Sequence, residues 1–290
     1  MPGLRAQGLF RHKSISGQNR YYYGSMIRQA SDEGDTEIIG FVLIMGLVAV
    51  VLFVMALVVP PMTGAEMEGE LALGAVQDIS DLKYDMDLLW EDSTLPNVTR
   101  SVLIQLSTPK RGIVSMLPVF TPTVGSATLT AGVSGVTLDI NNTNYNNLLR
   151  LSYTTSNNYA PDSMVVYEAG AVFAGTRDSQ SLVLAPSVGK SGDSLLIVLP
   201  RLVEGGETSV SGNRFGVVEY RLIDTPDVDL YDKPEIKINI NGREDAAKSL
   251  ANLIGMDLNE AGTTWIIQKY PGTVNVMTVN YSVVVRGAVL

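Results

Sequence analysis

The chain has 290 residues, 46% hydrophobic and 18% charged, and its 30 acidic against 21 basic residues give a net charge of −9. That acidic balance argues against nucleic acid as a partner, because such binding needs clustered Lys and Arg. Cysteine is absent, which excludes disulfides and thiolate metal sites, and the single histidine, His12, lies in a basic tail far from any folded core.

The tail carries Arg5, Arg11, Lys13, Arg20 and Arg28 and ends in "DEGDTEIIGF", where Asp32, Glu33, Asp35 and Glu37 crowd against an apolar run. From Ile38 to Val59 no residue is charged. A helix of that length reaches about 33 Å, enough to cross the hydrocarbon core of a bilayer. After it no Lys or Arg occurs until Lys83, whereas Glu66, Glu68, Glu70, Asp78 and Asp81 do. The positive-inside rule therefore puts the N-terminus in the cytoplasm and the remainder outside, as a single-pass membrane protein. The run is too long for a cleaved secretory signal, and "PPMTGAEME" after it offers no convincing small-residue cleavage site.

A basic leader, a glycine, a short polar stretch with a glutamate and then an uninterrupted apolar helix together form a specific layout. Gly34, then Asp35, Thr36 and Glu37, then "IIGF" from Ile38 to Phe41, resemble the class III signal peptides of archaeal type IV pilin-like proteins. The resemblance covers about Gly34 to Val59. It implies cleavage after Gly34 by a prepilin peptidase-like protease, which leaves Asp35 as the new N-terminus. It also implies that other pilin-like subunits are partners and that the apolar helix becomes a filament core. In that setting Glu37 would neutralise the new α-amino group on its own or a neighbouring subunit. Two features depart from the family: Asp32 and Glu33 stand where a basic residue is usual, and the leader is long. The plainer alternative is that Asp35 and Glu37 merely favour the N-terminal end of an anchor helix.

Pro60 and Pro61 predict a break or a kink in the helix, since each lacks an N–H and Pro61 disfavours helix at Pro60. A second, amphipathic helix is expected over Ala65–Trp90, with Ala72, Val76, Ile79, Leu82, Met86 and Leu89 forming one stripe and the charged residues largely off it. From about Thr99 the period becomes strand-like, in "TRSVLIQLS", "GIVSMLPVF", "SATLTAGVSGVTLDI", "SMVVYEAGAVFAG", "SLLIVLP", "FGVVEYRLI", "EIKINI", "TTWIIQK" and "NVMTVNYSVVV". One late helix is expected over Arg243–Met256. The expected organisation is a leader (1–34), a membrane helix (35–61), an amphipathic linker helix (62–92) and a β-rich outer domain (93–290). The fold class is α+β, with a mostly antiparallel, sandwich-like domain.

Catalytic patterns are missing: no histidine lies in the outer domain to complete a Ser–His–Asp set, and no Walker A, dinucleotide or HExxH motif occurs. "DTPDVDLYD" (Asp224 to Asp232) lacks EF-hand spacing and reads as a solvated acidic loop, so no metal and no cofactor is expected. Three glycosylation sequons begin at Asn97, Asn141 and Asn280. Asn97 and Asn141 fall in turn-like segments and are the better candidates, whereas Asn280 falls in a strand pattern. The expected role is assembly and adhesion, not catalysis, as a major or minor subunit of a surface filament. The rival is an anchored extracellular binding or envelope protein that never polymerises.

Overall fold

The computed structural model describes residues 19–92, 98–108, 121–123, 125–205, 208–212, 214–226, 228–239, 248, 251–252 and 265–288, with 19–36 and 265–268 by backbone only. The chain divides into two compact units, one up to Leu57 and one from Val58 to Leu290.

A single helix, α1, is assigned from Asn19 to Glu91, 73 residues with both prolines inside it. The expected interruption at Pro60–Pro61 is thus absent, and the two expected helices are one. Two prolines delete the N–H bonds to the carbonyls four residues earlier and crowd those carbonyls, but their fixed φ is itself close to helical. Thr63 adds a hydroxyl bond to the Val59 carbonyl (2.9 Å) just beyond the prolines. From Gly64 onward, packing holds the helix in place. In the first unit the apolar stretch is uncovered, with side chains such as Phe41 and Leu43 well exposed. Among the described residues this is the one helix long and apolar enough to cross a membrane.

The second unit is β-rich. Its first sheet has six strands: β1 (Thr99–Gln105), β12 (Phe215–Asp224), β16 (Thr273–Gly287), β10 (Ser194–Glu204) and β9 (Val188–Ser191) in that order, with β13 (Asp229–Asp232) also pairing β16. A second six-stranded sheet runs β11 (Thr208–Ser211), β2 (Ser126–Val133), β5 (Leu149–Ser156), β6 (Met164–Glu168), β7 (Ala171–Gly175) and β8 (Gln180–Leu184). The third has four strands: β15 (Trp265–Lys269), β14 (Glu235–Asn239), β3 (Thr137–Ile140) and β4 (Thr143–Tyr145). Pairing is antiparallel except between β10 and β16.

That exception has a cause in burial. β10 and β16 are covered on both faces, the setting in which parallel strands are normally found. Leu195, Ile197, Leu199, Val274 and Val276 enter one core with Leu138, Ile140, Ile236 and Ile238 of the third sheet. Val198, Leu202, Val279, Tyr281, Val283 and Val285 enter another core, shared with the second sheet and the helix. Alternation along a strand makes this possible, because odd and even residues face opposite ways.

The helix contributes Leu71, Ala75, Ile79, Leu82, Met86 and Leu89 to the larger core. Of the expected stripe, Ile79, Leu82, Met86 and Leu89 are buried and Val76 is packed beside them. Ala72 is only partly covered, and Leu71 and Ala75 hold that end of the stripe instead. Expected strands and structure agree for most of the chain. Strand "GIVSMLPVF" lies outside the described residues, as does most of the Arg243–Met256 helix, where only Lys248, Ala251 and Asn252 are described and are helical.

Candidate helix latch and outer stripe

One polar residue breaks the apolar face of α1. Glu68 stands four residues after Gly64 and three before Leu71, in phase with the buried stripe, and it is fully buried. Its carboxylate accepts four backbone N–H bonds. Gly125 and Asn158 donate to Oε1, each at 2.8 Å. Tyr159 (2.9 Å) and Ala160 (2.8 Å) donate to Oε2. Burial alone would raise the carboxyl pKa, but the four amides together outweigh it and hold the group below its ordinary value of 4.5.

The loop after β5 is shaped for this contact. Asn157 bonds the Asp162 carboxylate through its own N–H (2.7 Å) and the Pro161 carbonyl through its side chain (2.8 Å). Asn158 and Tyr159 also tie to Thr123, whose N–H donates to the Tyr159 hydroxyl at 3.3 Å. Gly64 is the matching feature on the helix: a Cβ there would stand 2.2 Å from the Tyr159 ring. A glycine in mid-helix is costly by itself, by about 1 kcal/mol relative to alanine, and here it admits the ring.

A second set of bonds fixes the far end of α1. The Tyr220 hydroxyl donates to Asp85 (3.0 Å), which also pairs with Arg100 (3.3 Å), and the Tyr281 hydroxyl donates to the Met86 carbonyl (2.7 Å). Burial and then the Asp85 carboxylate raise the Tyr220 phenol; burial and then the charge of Asp87 raise Tyr281. Both therefore remain donors. Asp87 accepts from Lys83, from Ser187 (3.1 Å) and from Trp90 (3.3 Å), beside a cavity with room for about one water molecule. Lys83 also reaches the Ser187 hydroxyl at 3.5 Å, and both direct hydrogen bonds at Asp87, an arrangement that anchors the helix. So Asp78, Lys83, Asp85 and Asp87, expected largely off the packed face, flank it, and each supplies a side-chain bond at its rim, that of Asp78 being to the Gln105 backbone.

The opposite face of the helix is bare. Leu73 is 72% exposed and Tyr84 and Leu88 are each 55% exposed, in line with Met62, Glu66, Glu70, Gln77 and Asp81. Nothing lies within 4 Å of where a Cβ would be at Gly69 and Gly74.

The residues singled out in the sequence are scattered. Gly34 and Asp35 lie within the helical run, and Glu37 is an exposed helical residue. Asn97 lies outside the described residues. Asn141 occupies the turn between β3 and β4, and Asn280 the middle of β16. The acidic stretch from Asp224 is not simply a solvated loop: Asp224 ends β12 and accepts from Asn280, while Asp229 to Asp232 form β13. Asp229 accepts from the Tyr145 hydroxyl at 2.6 Å. Among the described residues no group of three potential metal ligands occurs. Glu68 was missed because its neighbours Glu66 and Glu70 make it look like one of a solvated series. Its phase, on the line of Gly64, Leu71 and Ala75, was the available signal.

No curated protein and no solved structure matches the chain. The model of a family of unknown function, DUF7289, matches residues 122–283, from just before β2 into β16. With more than half of its length inside that match, the chain belongs to the family of unknown function DUF7289.

Proposed function

We propose that this protein is a structural subunit of a type IV pilus-like surface filament, held in the membrane by α1 and assembled through it. The N-terminus lies in the cytoplasm and the β-rich unit outside. Prepilin-type processing after Gly34 exposes Asp35, and Glu37 offsets its amine. The observation that carries the reading is the double-sided helix. One face of its outer third is committed to the β-rich core, while the other keeps Leu73, Tyr84 and Leu88 in solvent. An anchor needs only the apolar stretch, whereas a subunit packed among copies needs a helix with a second adhesive face. The unbroken run through Pro60–Pro61 supports the same reading, since a break there would favour a tethered domain.

The test is recovery of the protein from sheared surface material. A high-molecular-mass fraction containing it, lost when Leu73 and Leu88 are both changed to Ser, supports assembly. Retention of the whole population in membranes as monomer supports the anchored, non-polymerising alternative and overturns the proposal.

A further inference from the structure

We propose that Asn141 is the acceptor of an N-linked glycan, and that Asn280, which carries the same sequence signal, is not. The inference rests on the reading above that the β-rich unit is exported, and it adds a modification that assembly does not require.

The two sequons differ in everything but sequence. Asn141 is the first residue of the turn joining β3 to β4, at the open edge of the third sheet. Residues Asn141 to Asn144 are all exposed, which includes Thr143, the sequon hydroxyl. Asn141 has a positive φ of 50°, a left-handed conformation that Asn tolerates better than most residues. Its Oδ1 accepts from the Glu235 N–H at 2.9 Å, which fixes the carboxamide plane. Nδ2 has no partner among the described residues, so the reactive nitrogen is oriented and accessible at once.

Asn280 is the reverse case. Its backbone pairs with Arg201 of β10 on one side and Asp224 of β12 on the other. Its Nδ2 donates to Asp224, and its Oδ1 is buried. A sugar there would replace one of the two Nδ2 hydrogens, compete with that bond and crowd the two strands that flank β16.

The co-reactant is an oligosaccharide linked through phosphate to a lipid, presented by a membrane transferase on the outer face. A bond forms from Nδ2 to the anomeric carbon of the first sugar, and the bond from that carbon to the lipid phosphate oxygen breaks. The lipid phosphate leaves with the electron pair, and one amide proton passes to a base of the transferase.

The experiment uses the full-length chain made in its native host. Trypsin separates the two sites, since Asn141 lies in the peptide from Gly112 to Arg150 and Asn280 in the peptide from Tyr270 to Arg286. The expected result is a sugar-sized mass increase on the first peptide, absent from the second. Asn141→Gln and Thr143→Ala each abolish it, and Asn280→Gln leaves it. A cell-impermeant amine reagent is applied to the same cells to report on Lys190 and Lys233, which are exposed. A bare Asn141 on a chain whose lysines are labelled overturns this proposal alone. A bare Asn141 with unlabelled lysines overturns the export reading as well.

Discussion

A single buried carboxylate sets the geometry of α1, and its effect is measurable by substitution. Glu68→Gln keeps the shape but gives up the charge and turns an NH₂ group towards two backbone donors. The expected loss is at least about 2 kcal/mol in urea unfolding, since hydrogen bonds to charged groups are worth about 1.5–3 kcal/mol and buried donors are left unpaired. The pH dependence has a definite sign. A carboxyl held below its ordinary value of 4.5 stabilises the fold above that pH, and the benefit fades as pH falls through the folded value. Stability measured from pH 6 down should therefore fall less steeply in Glu68→Gln than in the parent. Asp78 has the opposite sign: burial, then the charge of Asp81, raises its pKa against the Gln105 backbone bond. Its contribution is lost as pH rises, so Asp78→Asn should be more stable at pH 7 than the parent and equal to it in acid. Gly64→Ala gives a third check. In an open helix it would gain about 1 kcal/mol. Against the Tyr159 ring it should destabilise, and Gly64→Ala combined with Tyr159→Ala should recover part of the loss.

At the scale of the element, the two faces of α1 should respond differently to truncation. Ile79→Ala or Leu82→Ala empties a packed core position and should cost about 2–5 kcal/mol. Leu73→Ser or Leu88→Ser should leave thermal unfolding of the detergent-solubilised chain within about 0.5 kcal/mol of the parent, as is usual for surface changes. Their effect should appear only in assembly. The apolar stripe was legible because residues three and four apart share a helix face, and most strands were legible by alternation or β-branched runs. The continuity of the helix was not. Pro60 and Pro61 carry a local preference for a break, and the helix runs on through them into the stretch from Gly64 that loops far along the chain hold in place. Strands β5 and β8 were not expected either, although β5 alternates cleanly, and the short strands β4, β9, β11 and β13 escaped notice for a related reason. Three or four residues are too few to show a period, and partners such as β16 make them strands. Glu68 was hidden similarly, because its four donors come from residues 57 to 92 positions away.

For the molecule as a whole, α1 carries both a stretch long and apolar enough to cross a membrane and, further along, one face packed into the β-rich core with the other exposed. Apolar surface that lipid covers before assembly would be covered by other helices afterwards, with packing and small residues setting the contact. On the proposed function, processing is the step on which assembly depends, since only a freed N-terminus at Asp35 would give Glu37 its partner. The most direct measurement is the mature N-terminus, read by peptide mass spectrometry on protein from native membranes and from sheared surface material. A chain starting at Asp35 in both fractions is the expected result. An intact leader that still contains Tyr21 to Tyr23, in a protein confined to the membrane fraction, would contradict it.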